Sequence, residues 1–95
     1  SHPMAVRRRV VVSGRVQGVF FRDSCQREAG AAGVTGWVRN RRDGAVEAAF
    51  EGEPASVERM VDWCRHGPSG ARVDTVDVHD EEPEGARGFR VAGYD

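Results

Sequence analysis

The connection from a strand to a helix lies in the stretch Gly14-Arg15-Val16-Gln17-Gly18-Val19-Phe20-Phe21-Arg22. Three valines precede it at positions 10–12, which predicts a strand over residues 6–13 that is apolar on both faces. Apolar residues follow at helical spacing, which predicts a helix over residues 21–32; they are Phe21, Cys25, Ala29 and Ala32. The stretch therefore holds a short loop with two glycines, over residues 14–20, and ends on an arginine in the first turn of the helix.

The rest of the chain continues with alternating and helical periodicities. We predict strands over residues 35–40 and 45–51 around an Asp-Gly hairpin turn, a helix from Pro54 that Gly67-Pro68 ends, a strand over 72–80, an acidic loop and a short strand over 89–92. The order is βαββαβ with an added strand. This order is typical of an α+β, ferredoxin-like sandwich with two helices on one face of a four- or five-stranded antiparallel sheet.

Size and composition limit the classes of function that are open to this chain. The 95 residues suffice for one small domain, which we assign to residues 5–95, with residues 1–4 interpreted as an added leader that ends in the start Met. A net charge of -1 argues against non-specific binding of nucleic acid driven by overall charge. Neither a signal peptide nor an apolar run of membrane-spanning length is evident, so we expect a cytoplasmic protein that binds no membrane.

The two cysteines, Cys25 and Cys64, lie on two different predicted helices. They have neither the spacing of a CxxC motif nor a histidine cluster, so neither a zinc site nor thioredoxin-type chemistry is supported. We interpret them as reduced, partly buried thiols and expect no metal and no cofactor.

Topology brings two segments together. In a split βαβ unit the first and second strands run parallel with the third between them, so their carboxyl ends open on the same edge of the sheet. We therefore expect Asn40, at the end of the second strand, to converge on the loop over residues 14–20.

The loop has the properties of an anion site. Gly14 and Gly18 can adopt positive φ and let the backbone approach a ligand, so consecutive N–H groups over residues 15–21 can point inward near a helix N-terminus. Arg22 can add paired hydrogen bonds to a phosphate, and Gln17 is expected to shape the loop. The Gly-Lys-Ser/Thr of a nucleotide-binding P-loop is missing. The alternatives are a plain turn with a solvated arginine, and an Asn40 that bonds its own backbone.

The segments Gly14-x-Val16-Gln17-Gly18-Val19-x-Phe21-Arg22 and Gly36-Trp37-Val38-x-Asn40-x-x-Asp43-Gly44-x-Val46 resemble the two signatures of the acylphosphatase family. This resemblance implies metal-free hydrolysis of small acyl phosphates to a carboxylate and inorganic phosphate. It implies that the residue matched by Asn40 orients the attacking water. It also implies a phosphate site formed by Arg15, Val16, Gln17, Gly18, Val19, Phe20, Phe21 and Arg22.

The chemistry fits a site without an evident base. A carboxylate is a good leaving group that needs no protonation, so positioning and charge stabilisation suffice. We hypothesise that the substrate phosphate itself takes the proton from the water.

Two alternatives remain open at this point. The same pocket would serve a binding module without useful turnover, like the acylphosphatase-like domains at the head of hydrogenase-maturation carbamoyltransferases, although a chain that ends after the single domain favours a free enzyme. We expect this enzyme to be a monomer. RNA binding would use the basic clusters Arg7-Arg8-Arg9 and Arg39-Arg41-Arg42, but no RNP1-like string of aromatic residues is present. We interpret these arginines as solvated surface charges.

Overall fold

The computed structural model describes residues 5–94, and the predicted leader over residues 1–4 lies outside them. Seven elements follow in chain order: β1 (Val6–Arg15), α1 (Phe21–Ala32), β2 (Thr35–Asn40), β3 (Val46–Gly52), α2 (Pro54–Cys64), β4 (Arg72–Glu81) and β5 (Phe89–Val91). The type and order of every predicted element are confirmed. β1 is two residues longer than expected, so Gly14 and Arg15 belong to the strand and not to the loop.

The sheet has the strand order β4-β1-β3-β2-β5. β1 lies antiparallel to β3 and to β4, and β2 lies antiparallel to β3, which confirms the ferredoxin-like arrangement. The prediction of a wholly antiparallel sheet is wrong, because β5 pairs with β2 in parallel. The chain leaves β4 and crosses to the far edge along one end of the sheet, so β5 starts at the same end as β2 and runs in its direction.

Both helices pack on one face of the sheet, where small and β-branched side chains fill most of the core. Four strand residues point toward the helices and are fully buried, namely Val10, Val12, Val38 and Ala48. Phe21 of α1 packs edge-to-face on Trp63 of α2, with ring centroids 5.1 Å apart. Because the helices anchor here, the N-terminus of α1 is fixed above the carboxyl ends of β1 and β2.

The opposite face of the sheet carries a continuous row of ion pairs. Its members are Arg39, Glu47, Arg9, Glu81, Arg7 and Glu51, and five N···O distances of 2.7–3.1 Å join each residue to the next. The interpretation of Arg7 as a solvated charge is wrong, since Arg7 is only 4% exposed. The register explains its burial, because Arg7 lies opposite Glu51 on β3 and Glu81 on β4.

Hydrogen bonds set the ionisation of the buried carboxylate at one end of this row. Burial by itself raises the pKa of Glu51, but the backbone N–H groups of Glu84 and Gly85, each at 2.8 Å, and the Arg7 guanidinium more than offset it. The pKa of Glu51 is therefore below its ordinary value. The same bonds hold the loop after β4 against the sheet.

Candidate active site

A cavity of about 300 Å³ opens at the edge of the sheet where β1 and β2 end. It is lined by Val16, Gly18, Phe20, Phe21, Arg22, Asp23 and Asn40. The loop after β1, the first turn of α1 and the last residue of β2 therefore meet in one place, as the topology predicts.

The loop presents unpaired backbone donors at this cavity. Two of its residues have left-handed backbones: Gly18, with φ 75°, and Phe20, with φ 62°. Within residues 5–94, the N–H groups of residues 17–20 donate no hydrogen bond, and no side chain caps the first turn of α1. Unpaired backbone amides at a helix N-terminus favour the binding of an anion.

Phe20 is an unusual residue for this backbone. A side chain other than glycine costs roughly 1 kcal/mol in the left-handed region, and Phe20 immediately precedes α1 as its N-terminal cap. The residue is 78% exposed, so burial does not offset the strain. Strain of this kind collects where the surrounding structure dictates the backbone for a functional reason.

Gly14 has the positive φ that we expect, but a neighbouring strand occupies the space beside it. Gly14 has φ 131° and lies at a break in the register between β1 and β4, where a Cβ atom would collide with the carbonyl oxygen of Arg72. The glycine thus lets the backbone of β4 approach closely. Gly18 keeps the expected position, because it lines the cavity and nothing lies within 4 Å of where its Cβ would be.

Gln17 ties the loop to the hairpin that follows β2. Its Nε2 donates to the carbonyl oxygens of Arg41 and Ala45, at 2.7 and 2.9 Å. This agrees with the predicted role of shaping the loop. The side chain spans the two segments that bear Arg22 and Asn40, so it fixes the width of the site.

Arg22 and Asn40 both reach the cavity with unused hydrogen-bonding capacity. The guanidinium of Arg22 is half-buried and makes no ion pair or hydrogen bond with any residue that the structure describes. Asn40 is 5% exposed, and its buried Oδ1 has no hydrogen-bond partner. A buried polar atom without a partner is costly, so both groups are prepared for a polar ligand or water.

The remaining predicted phosphate ligands differ in position. Val16 and Phe21 line the cavity and are almost fully buried. Arg15 and Val19 line a neighbouring cavity, together with Gly18 and Phe20. Asp23 is not among the predicted site residues, but it also lines the first cavity and places a carboxylate next to Arg22.

Neither a metal cluster nor a membrane span is found in the described part of the chain. No three of its His, Cys, Asp and Glu side chains are grouped so as to hold an ion. No helix there is both long and apolar enough to cross a membrane.

Residues 8–91 match the sequence profile of the family Acylphosphatase. An acylphosphatase of Rubrobacter xylanophilus is 60% identical over 84 residues, which cover 87% of this chain and 76% of the relative. The chain belongs to the acylphosphatase family.

Solved structures of acylphosphatases have the same fold. The structure of an acylphosphatase from Coxiella burnetii superposes with a TM-score of 0.89 at 39% identity, covering 93% of each chain. The full-length HypF protein, in its phosphate- and nucleotide-bound form, matches with a TM-score of 0.91 at 25% identity. That match covers 99% of this chain and only 12% of HypF, so the acylphosphatase fold also occurs as one part of a much larger protein.

Proposed function

We propose that Arg22 and Asn40 carry the reaction in this chain, which as a member of the acylphosphatase family is a hydrolase of acyl phosphates. The observation that carries the proposal is that both residues line one cavity with unused polar atoms, beside the uncapped N-terminus of α1. The substrate is a small acyl phosphate, and the products are a carboxylate and inorganic phosphate.

The phosphoryl group binds between the loop and Arg22. The free N–H groups of residues 17–20 and the first turn of α1 surround its oxygens, and the planar guanidinium adds two parallel charge-assisted hydrogen bonds. Charge that builds up on these oxygens in the transition state meets donors that are already in place. Such donors act by stabilising the transition state without reorganisation.

Asn40 positions the water. Its buried Oδ1 can accept a hydrogen bond from a water molecule and direct the lone pair of the water at phosphorus. The bond that breaks joins phosphorus to the carboxylate oxygen. The departing carboxylate is stable as an anion, so no acid is needed on that side.

We propose that the proton of the water passes to a phosphate oxygen of the substrate. Asp23 is the carboxylate of the cavity lining that competes for this role. If Asp23 were the general base, Asp23→Asn would lower kcat by about 10²–10⁴ and remove a limb of the pH profile. We expect a decrease of about threefold or less, with the acid limb unchanged.

The test is hydrolysis of benzoyl phosphate in the presence of EDTA. We expect the wild type to turn over, Asn40→Ala to lose about 10²-fold in kcat, and Arg22→Ala to lose about 10³-fold in kcat/KM with weaker binding of inorganic phosphate. Arg90→Ala is the matched control, because Arg90 is an exposed arginine on β5 outside the cavity. Circular dichroism and thermal melts establish that each variant is folded.

A different outcome would indicate a binding module. If the wild type binds phosphate through Arg22 but hydrolyses nothing, the site is correct and the hydrolase is not. If EDTA abolishes turnover and Mg²⁺ restores it, the metal-independent chemistry proposed here is wrong.

We further propose a cytoplasmic monomer that does not bind RNA. The two free buried cysteines are typical of a reducing compartment. The edge strand β4 carries Asp74, Asp77 and Asp80, and such charges discourage edge-to-edge pairing. On the open face of the sheet, glutamates already neutralise Arg7, Arg9 and Arg39. Gel filtration and RNA titration test these points.

A further inference from the structure

A second cavity of about 490 Å³ adjoins the candidate active site. It lies between the loop after β1, the outer side of α1 and the segment that follows α2. Its lining consists of Arg15, Gly18, Val19, Phe20, Ser24, Arg27, Pro68, Ser69 and Gly70. The mechanism above uses neither its arginine side chains nor its serines.

The charge of this second cavity is uniformly positive. Two of its lining residues, Arg15 and Arg27, are arginines, and none is acidic. Both are exposed, and within residues 5–94 neither guanidinium makes an ion pair or a side-chain hydrogen bond. Many other arginines of the chain are paired with carboxylates, for example Arg7, Arg9 and Arg39. Two unpaired arginines around one cavity favour an anionic group there.

The two cavities share a wall. Gly18 and Phe20 line both of them, and Phe20 stands 78% exposed in its strained backbone conformation. A substrate held by its phosphate in the first cavity can therefore extend its acyl group over Gly18 and along the Phe20 ring. The far end of that group would then lie between Arg15 and Arg27.

We propose that the second cavity is an acyl subsite, which selects acyl phosphates whose acyl group carries a second anionic group. The inference rests on the hydrolysis proposed above and adds a substrate class to it. Phe20 contacts the body of the acyl group, while Arg15 and Arg27 bind its distal charge. Ser24 and Ser69 can donate further hydrogen bonds to that anion.

The test compares two rigid substrates, 4-carboxybenzoyl phosphate and benzoyl phosphate. The para carboxylate cannot attack its own acyl group, and the ring holds it on the side away from phosphorus. For each protein, the measured quantity is the ratio of the two kcat/KM values. Because the ratio is taken within one protein, a general loss of activity cancels.

We expect the wild type to prefer the carboxylated substrate at low ionic strength. Arg27→Gln should lower the ratio about threefold, and the double variant Arg15→Gln, Arg27→Gln about tenfold. Addition of about 0.2 M salt should lower the ratio in the wild type and have a smaller effect in the double variant. Arg90→Gln is the matched control, because it removes the same charge outside both cavities and should leave the ratio unchanged.

Each outcome gives a clear answer. Equal ratios in the wild type and the double variant, with benzoyl phosphate still hydrolysed, would overturn the acyl subsite and leave the hydrolase intact. An equal decrease in Arg90→Gln would overturn it as well, since the preference would then follow from net charge alone. Absence of turnover with both substrates in the folded wild type would contradict the hydrolysis itself, and the subsite with it.

Discussion

The side-chain amide of Gln17 donates a 2.7 Å hydrogen bond to the carbonyl oxygen of Arg41, the residue that directly follows Asn40. A second bond from the same nitrogen reaches the carbonyl oxygen of Ala45 across the hairpin. The loop after β1 and the end of β2 are thus joined by one side chain. The distance between phosphate and water in the proposed reaction depends on it.

We therefore predict that Gln17→Ala lowers kcat/KM for benzoyl phosphate about tenfold or more, because small displacements of reacting groups are costly in catalysis. The free energy of unfolding should fall by only about 1–2 kcal/mol, as expected for two hydrogen bonds. Steady-state kinetics and urea unfolding measure the two effects. Gln26→Ala is the matched control, because Gln26 also donates to a backbone carbonyl, that of Phe89, but lies outside the cavity.

A second prediction concerns Gly14. An alanine there would place a methyl group against the carbonyl of Arg72, in a backbone region that side chains rarely adopt. We expect Gly14→Ala to lower the free energy of unfolding by about 2–4 kcal/mol. Gly30→Ala, on α1 with open space around the site, should raise it by about 0.5–1 kcal/mol. A Gly14→Ala protein as stable as the wild type in urea would contradict the close approach of β4.

The site was largely predictable because it follows from chain order. Strand and helix periodicities fix the βαββαβ order, and that order alone brings Asn40 next to the loop, whatever the packing details. It was predictable that Gln17 would shape the loop through hydrogen bonds, since the loop needs a polar side chain to hold it. Its partners were not, because they depend on the conformation of a hairpin 24 residues away.

The features that the sequence did not predict depend on strand register and on strand direction. The burial of Arg7 follows from its position opposite Glu51 and Glu81, and no local pattern reports that pairing. The need for a glycine at position 14 depends on how closely β4 approaches. The parallel course of β5 depends on where the preceding loop crosses the sheet. The sequence gives the residue at each of these positions, but it does not give the strand that lies beside it.

The buried end of the ion-pair row gives a prediction about acid stability. The pKa of Glu51 is lower in the folded protein than in the unfolded chain, so its contribution is fully present above the ordinary glutamate value of about 4.3 and is lost as the pH falls through the lowered value. The pKa of Glu81 is also lowered, because bonds from Arg9 and Arg7 outweigh the effect of burial, and it adds to the same decline.

We accordingly expect Glu51→Gln to lose about 2 kcal/mol of stability at neutral pH and much less near pH 3, so that its stability profile is flatter than that of the wild type. Urea unfolding between about pH 3 and pH 7 measures both profiles. Glu82→Gln, an exposed glutamate outside the row, is the control and should follow the wild-type curve. Parallel curves for the wild type and Glu51→Gln would show that the carboxylate does not contribute as proposed.

The last prediction concerns Cys25 and Cys64, which lie fully buried between α1 and α2. A hydrogen bond with Cys64 and burial both raise the pKa of the Cys25 thiol well above its ordinary value, so it is protonated and unreactive at neutral pH. A thiol reagent should label the native protein at least about 10³-fold more slowly than the protein unfolded in guanidinium, because labelling requires the helices to open. Thr75→Cys, which places a thiol on exposed β4, should label at once in the native state. Rapid labelling of the native wild type would instead mean that α1, which carries Arg22, separates from α2 without global unfolding.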